Sequence, residues 1–221
     1  MLIREAIYSI REKLRQMIDD SSIDDREIIF ELNNQRALFY RNQYNQRNRV
    51  IDEDIKQTIS LTLAETTSIS GCETASCTVL KSTSKLPRTI ELHHKNALIR
   101  AYGDIGHKPF SVISWNQFFY SGNGEYSKKE VFVSVKGDYI YVKSFSKLHK
   151  LMTKIYLDVI LEDPLDIKDY CPDSENCFDI DTFEYPIKSY AFKYIEAQVI
   201  NSFINKLQMP EDKTNNAEND I

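Results

Sequence analysis

Residues 131–142 read VFVSVKGDYIYV, and this stretch decides the fold class of the central part of the chain. β-Branched and aromatic residues fill both halves of the stretch, and such residues favour strands. Between the halves, Gly137 can supply the positive φ that a tight chain reversal needs. The stretch therefore predicts an antiparallel hairpin with strands over Val131–Val135 and Tyr139–Lys143.

Short runs of the same character continue on both sides of the hairpin, separated by Ser, Thr, Gly and Pro. Runs of this length with turn residues between them are typical of an all-β region. They predict further strands at Thr78–Leu80, Thr89–Leu92, Ala97–Ala101, Phe110–Ser114 and Lys154–Leu161. We expect an antiparallel β domain, a sandwich or barrel-like, over residues 67–163.

Within this region, an aromatic cluster precedes the turn residues Ser121-Gly122-Asn123-Gly124. Aromatic side chains are common at protein contacts, and Gly-rich tips are typical of loops. We expect an aromatic strand end that leads into a mobile loop tip. The candidate contact residues are Trp115, Phe118, Phe119 and Tyr120.

The first 66 residues show a different, helical period. Apolar residues recur with a spacing of four and three residues at Ile3, Ile7, Ile10, Leu14 and Met17, which predicts a first amphipathic helix. Asp24 and Glu27 have the spacing of a capping box and predict the start of a second helix, from about Asp25 to about Asn48. Acidic residues at 52–54 and apolar Ile55, Ile59 and Leu63 predict a third helix.

The C-terminal part begins with an acidic connection and ends in a last predicted helix, over about residues 187–208. Its broad apolar stripe needs a cover, most simply the N-terminal helices. The polar residues 209–221 predict a disordered tail. The fold class is therefore α+β, with a bundle over 1–66, the β domain over 67–163, and the acidic connection and returning helix over 164–208.

The second helix has an unusual polar composition. Eight of the sixteen residues 33–48 are Asn or Gln, and four arginines but no acid lie between Leu32 and Ile51. Amides and arginines can bind a neighbouring subunit, so this stretch predicts a subunit interface. Its candidate residues are Asn33, Asn34, Arg36, Tyr40, Arg41, Tyr44 and Arg47. A solvent-facing helix without a partner is the alternative; sequence-specific DNA binding is disfavoured by the pI of about 5.5.

Charge is unevenly distributed along the chain, whose net charge is −5. Residues 1–64 carry a net −1, residues 65–160 carry 13 basic against 8 acidic residues, and residues 161–221 carry 5 basic against 14 acidic residues. Such segregation suits subunits that meet head to tail, because a basic surface of one can dock on an acidic surface of the next. The alternative is that the acidic third is a solvated loop and tail.

The usual enzyme signatures are missing from the sequence. It contains no G-x-x-x-x-G-K-[ST], G-x-G-x-x-G, G-x-S-x-G or H-E-x-x-H motif and has only six glycines. We expect no catalytic residues and no cofactor. The acidic residues Asp173, Glu175, Asp179 and Asp181 alternate as in a calcium loop, but the required glycine and closing glutamate are missing.

Four cysteines leave one metal-binding alternative open. Cys72 and Cys77 precede most of the predicted strands, and Cys171 and Cys177 follow them. Their spacing is loose for zinc, so we expect reduced thiols and no metal, with a zinc-binding regulatory or nuclease-accessory protein as the alternative function. His93 and His94 are neighbours in a strand-like run, so the two cannot bind one metal.

No apolar run approaches the ~20 residues needed to cross a bilayer, and the N-terminus has no signal-peptide pattern. We therefore expect no membrane partner.

The order of several segments resembles the ring proteins of crAss-like phages. These segments are NNQRALFYRN at 33–42, a predicted amphipathic helix over Ile51–Leu63, a cysteine, Leu86-Pro87, ILEDP at 160–164, and Tyr185-Pro186-Ile187 before the last helix. In that family such chains are structural virion proteins of the head-to-tail junction, and the resemblance gives no catalytic residues to carry over to this chain.

The resemblance implies a closed, twelve-fold ring stacked beneath the portal, with a central channel for genomic DNA that passes without sequence-specific binding. The partners it implies are copies of this chain, the portal protein and neighbouring tail ring proteins. It also implies synthesis in the bacterial host cytoplasm, and contacts of the N-terminal bundle and the β loops with neighbouring subunits and adjacent rings, without assigning side chains to them. The loop around residues 115–129, with Trp115, Phe118, Phe119 and Tyr120, is our candidate for the contact between rings.

Overall fold

A computed structural model defines the fold. It describes residues 1–17, 23–45, 51–66, 78–92, 98–103, 108–122, 124–125, 127–145, 151–170 and 179–208. The helices are α1 (Ile3–Met17), α2 (Asp25–Tyr44), α3 (Trp115–Tyr120) and α4 (Ser189–Gln208). The strands are β1 (Gln57–Glu65), β2 (Thr78–Ser82), β3 (Leu98–Gly103), β4 (Ser111–Val112), β5 (Val131–Lys136), β6 (Tyr139–Ser144) and β7 (Lys154–Val159).

The three long helices pack together around one apolar core, which confirms that the last helix returns to the N-terminal helices. Helix α1 buries Ile3, Ile10 and Leu14 along one face, as its helical period predicts. Helix α2 begins after Asp24, whose side chain accepts a hydrogen bond from the Arg26 amide at 3.4 Å. Helix α4 contributes apolar residues four positions apart: Ala191, Ile195, Val199 and Phe203.

The prediction of a third helix in the bundle is wrong, because residues 57–65 form strand β1. Ile59 and Leu63 have helical spacing, but Leu61 between them is also buried, while Thr58, Ser60 and Thr62 point to the other side. This is the two-residue period of a strand. Strand β1 pairs with β7 over residues 57–62 and with β2 over residues 63–65, so its structure depends on partners far along the chain.

The predicted hairpin is confirmed by strands β5 and β6. Lys136 lies opposite Tyr139, and the two residues between them have φ values of 56° at Gly137 and 64° at Asp138. Two consecutive positive φ values are the signature of a type I′ turn, which matches the twist of antiparallel strands. The neighbouring Leu86 amide donates to the Asp138 carbonyl at 2.6 Å and secures the turn.

The strands of the described residues form one mixed sheet in the order β3-β7-β1-β2-β6-β5-β4. The predicted α+β fold with a central, barrel-like antiparallel sheet is confirmed, except that the edge pair of β4 with β5 is parallel. The sheet curls until its two edges approach each other, where the Phe110 amide donates to the Ala101 carbonyl at 2.7 Å. The resulting near-barrel encloses a second apolar core, which includes Val133, Ile140, Val142, Ile155 and Leu157.

Two further predictions for the β region are wrong in part or in whole. Of the predicted strand Thr89–Leu92, only Thr89 forms a β-bridge, to Leu161, and the Ile90 amide donates to the Ile160 carbonyl at 3.0 Å. The aromatic strand end is instead the short helix α3, which starts after Ser114, where the Ser114 amide donates to Gln117 Oε1 at 3.4 Å. The proposed domain boundaries stay a prediction, and the tail 209–221 lies outside the described residues.

Candidate assembly surfaces

The amide- and Arg-rich stretch of α2 has two sides, and one of them is buried within the chain. Arg36 is fully buried. Its Nε donates to the Pro186 carbonyl at 2.9 Å and its Nη1 to the Leu161 carbonyl at 2.9 Å. Burial lowers the pKa of Arg36, and its guanidinium lies beside the rings of Tyr40 and Tyr185. Arg36 thus joins α2 to the end of the sheet and to the segment before α4.

Asn33 belongs to a buried hydrogen-bond network on the same side of α2. The Tyr185 hydroxyl donates to Asn33 Oδ1 at 2.7 Å, and Asn33 Nδ2 donates to Asp163 Oδ1 at 2.9 Å. Asp163 Oδ1 also accepts the Leu165 amide at 2.9 Å and so caps the 3₁₀ helix Pro164–Asp169. This network fixes the acidic connection against α2.

Two tyrosines of the predicted interface also act within the chain. The Tyr40 hydroxyl accepts the Lys188 amide at 3.1 Å just before α4, and the Tyr44 hydroxyl donates to Asp52 Oδ2 at 2.9 Å. Burial raises the pKa of both hydroxyls. Asn33, Arg36, Tyr40 and Tyr44 therefore organise the subunit itself, a task that the sequence analysis did not predict for them.

The other side of α2 borders an open cleft of about 1120 Å³. Asn34 and Arg41 line it from α2, together with Leu38, whose relative exposure is 50%. The segment 85–91 forms the opposite wall, and Arg41 pairs across the cleft with Glu91 at 3.6 Å. Of the predicted interface residues, Asn34 and Arg41 are the ones that the structure leaves partly exposed, and Arg47 lies outside the described residues.

Helix α3 covers part of the outer face of the sheet with its aromatic residues. Trp115 stacks on Phe118 with a centroid distance of 5.3 Å and contacts Tyr141 of β6 at 4.9 Å. Phe119 meets the Trp115 ring edge-on at 5.1 Å. The structure thus brings three of the four predicted contact residues together, whereas Tyr120 at the end of α3 is 80% exposed.

A buried lysine holds the end of α3 on the sheet. The ammonium of Lys143 on β6 donates hydrogen bonds to the carbonyls of Phe118 at 3.3 Å and Phe119 at 3.0 Å. These carbonyls lie in the last turn of α3, where a cation is favoured by the helix dipole. Burial lowers the pKa of Lys143. The sequence analysis missed this residue, although its alternation with Tyr139 and Tyr141 places all three on one face of β6.

Two more lysines lie over aromatic rings on this outer face. Lys81 Nζ is 3.9 Å from the centroid of Tyr139, and Lys136 Nζ is 4.5 Å from the centroid of Trp115. Lys136 is exposed and Lys81 half-buried. We call Lys81, Lys136, Tyr139 and Trp115 the basic-aromatic face. Its cations are held in place by rings, so it is a structured charged surface.

The 3₁₀ helix Pro164–Asp169 carries carboxylates on one side. Residues three positions apart eclipse one another in a 3₁₀ helix, which places Asp166 and Asp169 in one row, while Asp163 caps the start of the helix. Burial and the charges of Asp163 and Asp169 raise the pKa of Asp166. Glu162 and Asp169 are exposed. We call Glu162, Asp166 and Asp169 the acidic edge.

The remaining metal-binding candidates of the sequence analysis are only partly described. Cys72, Cys77, Cys171, Cys177, His93, His94, Asp173 and Glu175 lie outside the described residues. Asp179 accepts hydrogen bonds from the Asp181 amide and the Thr182 hydroxyl, and Asp181 pairs with Arg4. Within the described ranges, no group of three or more His, Cys, Asp or Glu side chains is placed to hold a metal ion.

Sequence comparison identifies the family of the chain as a whole. Ring protein 2 of Bacteroides phage crAss001 is 25% identical over 225 residues, which cover 100% of this chain and 98% of that protein. Among the helices of the described residues, none has the length and hydropathy to cross a membrane. The family described as Phage tail ring protein 2 matches residues 5–221. This chain therefore belongs to the phage tail ring protein 2 family.

Proposed function

We propose that this chain is a non-enzymatic structural subunit of a closed ring in the head-to-tail connector of a short-tailed phage. The observation that carries the proposal is the exposure of large apolar side chains on a rigidly held helix. On α2, Phe30 is 65% exposed and Leu38 is 50% exposed, while Arg36 fixes the opposite side of the helix. Exposed apolar groups on a fixed scaffold favour a protein partner.

The neighbouring copies are the first partners that we propose. Leu38, Asn34 and Arg41 line the cleft beside α2 and offer apolar, amide and guanidinium groups to a second subunit. Ring closure makes every contact depend on its neighbours, so modest individual interfaces give a durable ring. The resemblance to crAss-like ring proteins favours twelve copies.

The further partners are the portal protein and an adjacent tail ring protein, which place the ring at the head-to-tail junction of the virion. After synthesis in the host cytoplasm, the ring contributes to a channel for the genome. The chain's net charge of −5 favours passage over retention, because like charges repel the phosphate backbone. Tyr120 at the exposed end of α3 is a candidate for contact between rings.

The test is imaging of the purified full-length chain, alone and mixed with the portal protein of the same phage. We expect rings by negative-stain microscopy and a discrete oligomer mass by mass photometry. Leu38→Glu is expected to weaken assembly, whereas Lys193→Glu on the exposed side of α4 is the matched control and is expected to assemble. A chain that stays monomeric with portal protein over a range of salt concentrations contradicts the proposal, as does steeply salt-dependent DNA binding.

A further inference from the structure

The basic-aromatic face has charges without partners inside the described part of the subunit. None of the ion pairs among the described residues includes Lys81 or Lys136. Both ammonium groups instead lie over rings, at 3.9 Å from the Tyr139 centroid and 4.5 Å from the Trp115 centroid. A cation above a ring keeps its hydrogen-bond donors available on the side away from the ring. Such a cation is oriented to accept an anionic partner.

The rigidity of this face follows from its support. Trp115 is held by ring contacts to Phe118, Phe119 and Tyr141. Helix α3, which carries Trp115, is fastened at its other end by Lys143. The lysines therefore lose less conformational entropy on binding than free surface lysines do, because their positions are already restricted.

The acidic edge carries the charge opposite to that of the basic-aromatic face. Asp166 lies in one row with Asp169. Burial together with the charges of Asp163 and Asp169 raises the pKa of Asp166. Asp163 is occupied, since it accepts from Asn33 and from the Leu165 amide. Glu162 and Asp169 are exposed. A cation that approaches from outside the subunit relieves the repulsion within this row.

We propose that the basic-aromatic face of one subunit docks on the acidic edge of the next copy in the ring. This inference rests on the proposed ring function and adds the two surfaces that meet. Because the surfaces differ, the contact is head to tail, which is the kind that generates rings. The charge complementarity extends beyond the contact, since residues 65–160 carry 13 basic against 8 acidic residues and residues 161–221 carry 5 against 14.

An acidic polypeptide fits this face better than a nucleic acid does. The whole chain has a pI of about 5.5, whereas domains that bind nucleic acid through their backbone usually have a pI above ~9. The exposed Asp138 in the turn between β5 and β6 also lies two residues after Lys136 in sequence, and it would repel a phosphate chain laid along the face.

The experiment is a charge swap in the full-length chain, with assembly followed by mass photometry. Lys81→Glu with Lys136→Glu reverses the basic-aromatic face, and Glu162→Lys with Asp169→Lys reverses the acidic edge. We expect each double variant to need about tenfold more protein for half-assembly, because every interface of the ring then juxtaposes like charges. The chain with all four substitutions is expected to recover to within about threefold of the original, since both surfaces change sign together.

The matched control is Lys154→Glu with Lys193→Glu. It changes the net charge by the same amount as Lys81→Glu with Lys136→Glu, but at two exposed lysines outside both proposed surfaces. It is expected to assemble as the original chain does. Circular dichroism verifies folding, and if the Lys81 substitution unfolds the chain, Lys136→Glu paired with Asp169→Lys repeats the swap at exposed positions alone.

The outcomes separate this inference from the proposed function. If the original chain assembles but the double variants assemble equally well, or the four-fold variant does not recover assembly, the docking inference is overturned. The proposed ring function is unaffected by either outcome. If the original chain binds a short DNA duplex and the Lys81→Glu/Lys136→Glu variant loses this binding but assembles normally, the docking inference is also overturned, in favour of a nucleic-acid partner. An original chain that never assembles overturns both.

Discussion

The ammonium of Lys143 donates to the main-chain carbonyl of Phe119 over 3.0 Å, and this hydrogen bond fastens helix α3 to the outer face of the sheet. We predict that Lys143→Met loosens α3, because the carbonyls at its end then lose a charged donor. The chain has a single tryptophan, Trp115, so its fluorescence reports on this helix alone. A red shift and faster amide exchange over residues 115–120 are expected.

Lys136→Met is the control for this substitution. It removes the cation that lies 4.5 Å from the Trp115 centroid but leaves the end of α3 bonded to Lys143. Its amide exchange over α3, compared in unassembled subunits, is expected to match that of the original chain. Equal protection in both variants would show that Lys143 does not hold the helix.

Arg36→Ala is predicted to destabilise the fold strongly. The substitution leaves the carbonyls of Pro186 and Leu161 without their donor and opens a cavity at a fully buried position. We expect a loss of about 3 kcal/mol in the free energy of unfolding, measured with urea. Arg41→Ala, one turn further along the same helix and half-exposed, is expected to change it by less than about 0.5 kcal/mol. Similar values for the two variants would refute the assigned role of Arg36.

Gly122→Ala is predicted to be costlier than Gly137→Ala. Both glycines have positive φ, at 82° and 56°, so both substitutions strain the backbone by about 1 kcal/mol. A Cβ at Gly122 would also overlap the ring of Phe145, whereas nothing lies within 4 Å at Gly137. Urea unfolding should show a further loss of about 1–2 kcal/mol for Gly122→Ala. The reverse order would contradict the packing of the Phe145 ring against Gly122.

Asp166→Asn is predicted to stabilise the isolated subunit at neutral pH. The pKa of Asp166 is raised above its ordinary value of 3.8 by burial and by Asp163 and Asp169. The folded state therefore holds this proton more tightly than the unfolded state, and the stability contribution of Asp166 falls as pH rises through this window. We expect a rise of about 1 °C in Tm at pH 7.

This stabilisation should disappear below pH 3.8, where the carboxyl of Asp166 is protonated in both states. Asp138→Asn, which removes the same charge at an exposed turn position, serves as the control for net charge. A gain in Tm that persists at low pH would show that the repulsion within the acidic edge is not its cause.

The sequence by itself determined the elements whose residues all belong to one local pattern. Helix α1 follows from its apolar spacing, helix α2 from its cap at Asp24, and the hairpin from the Gly137 turn between two β-rich halves. In each case the deciding interactions join residues a few positions apart, so a local pattern is sufficient. The return of helix α4 onto the bundle followed from the need to bury its apolar stripe.

Only the tertiary structure decided the features that depend on residues far apart in the chain. The apolar spacing in residues 55–63 fits a helix as well as a strand, and the pairing of β1 with β7, about a hundred residues away, selects the strand. From the sequence, Arg36 is predicted to contact another subunit. The carbonyls that accept its hydrogen bonds lie 125 and 150 residues further along the same chain. A buried guanidinium is stable only where folding brings such carbonyls to it, so the division of α2 into an inner and an outer side was decided by long-range packing.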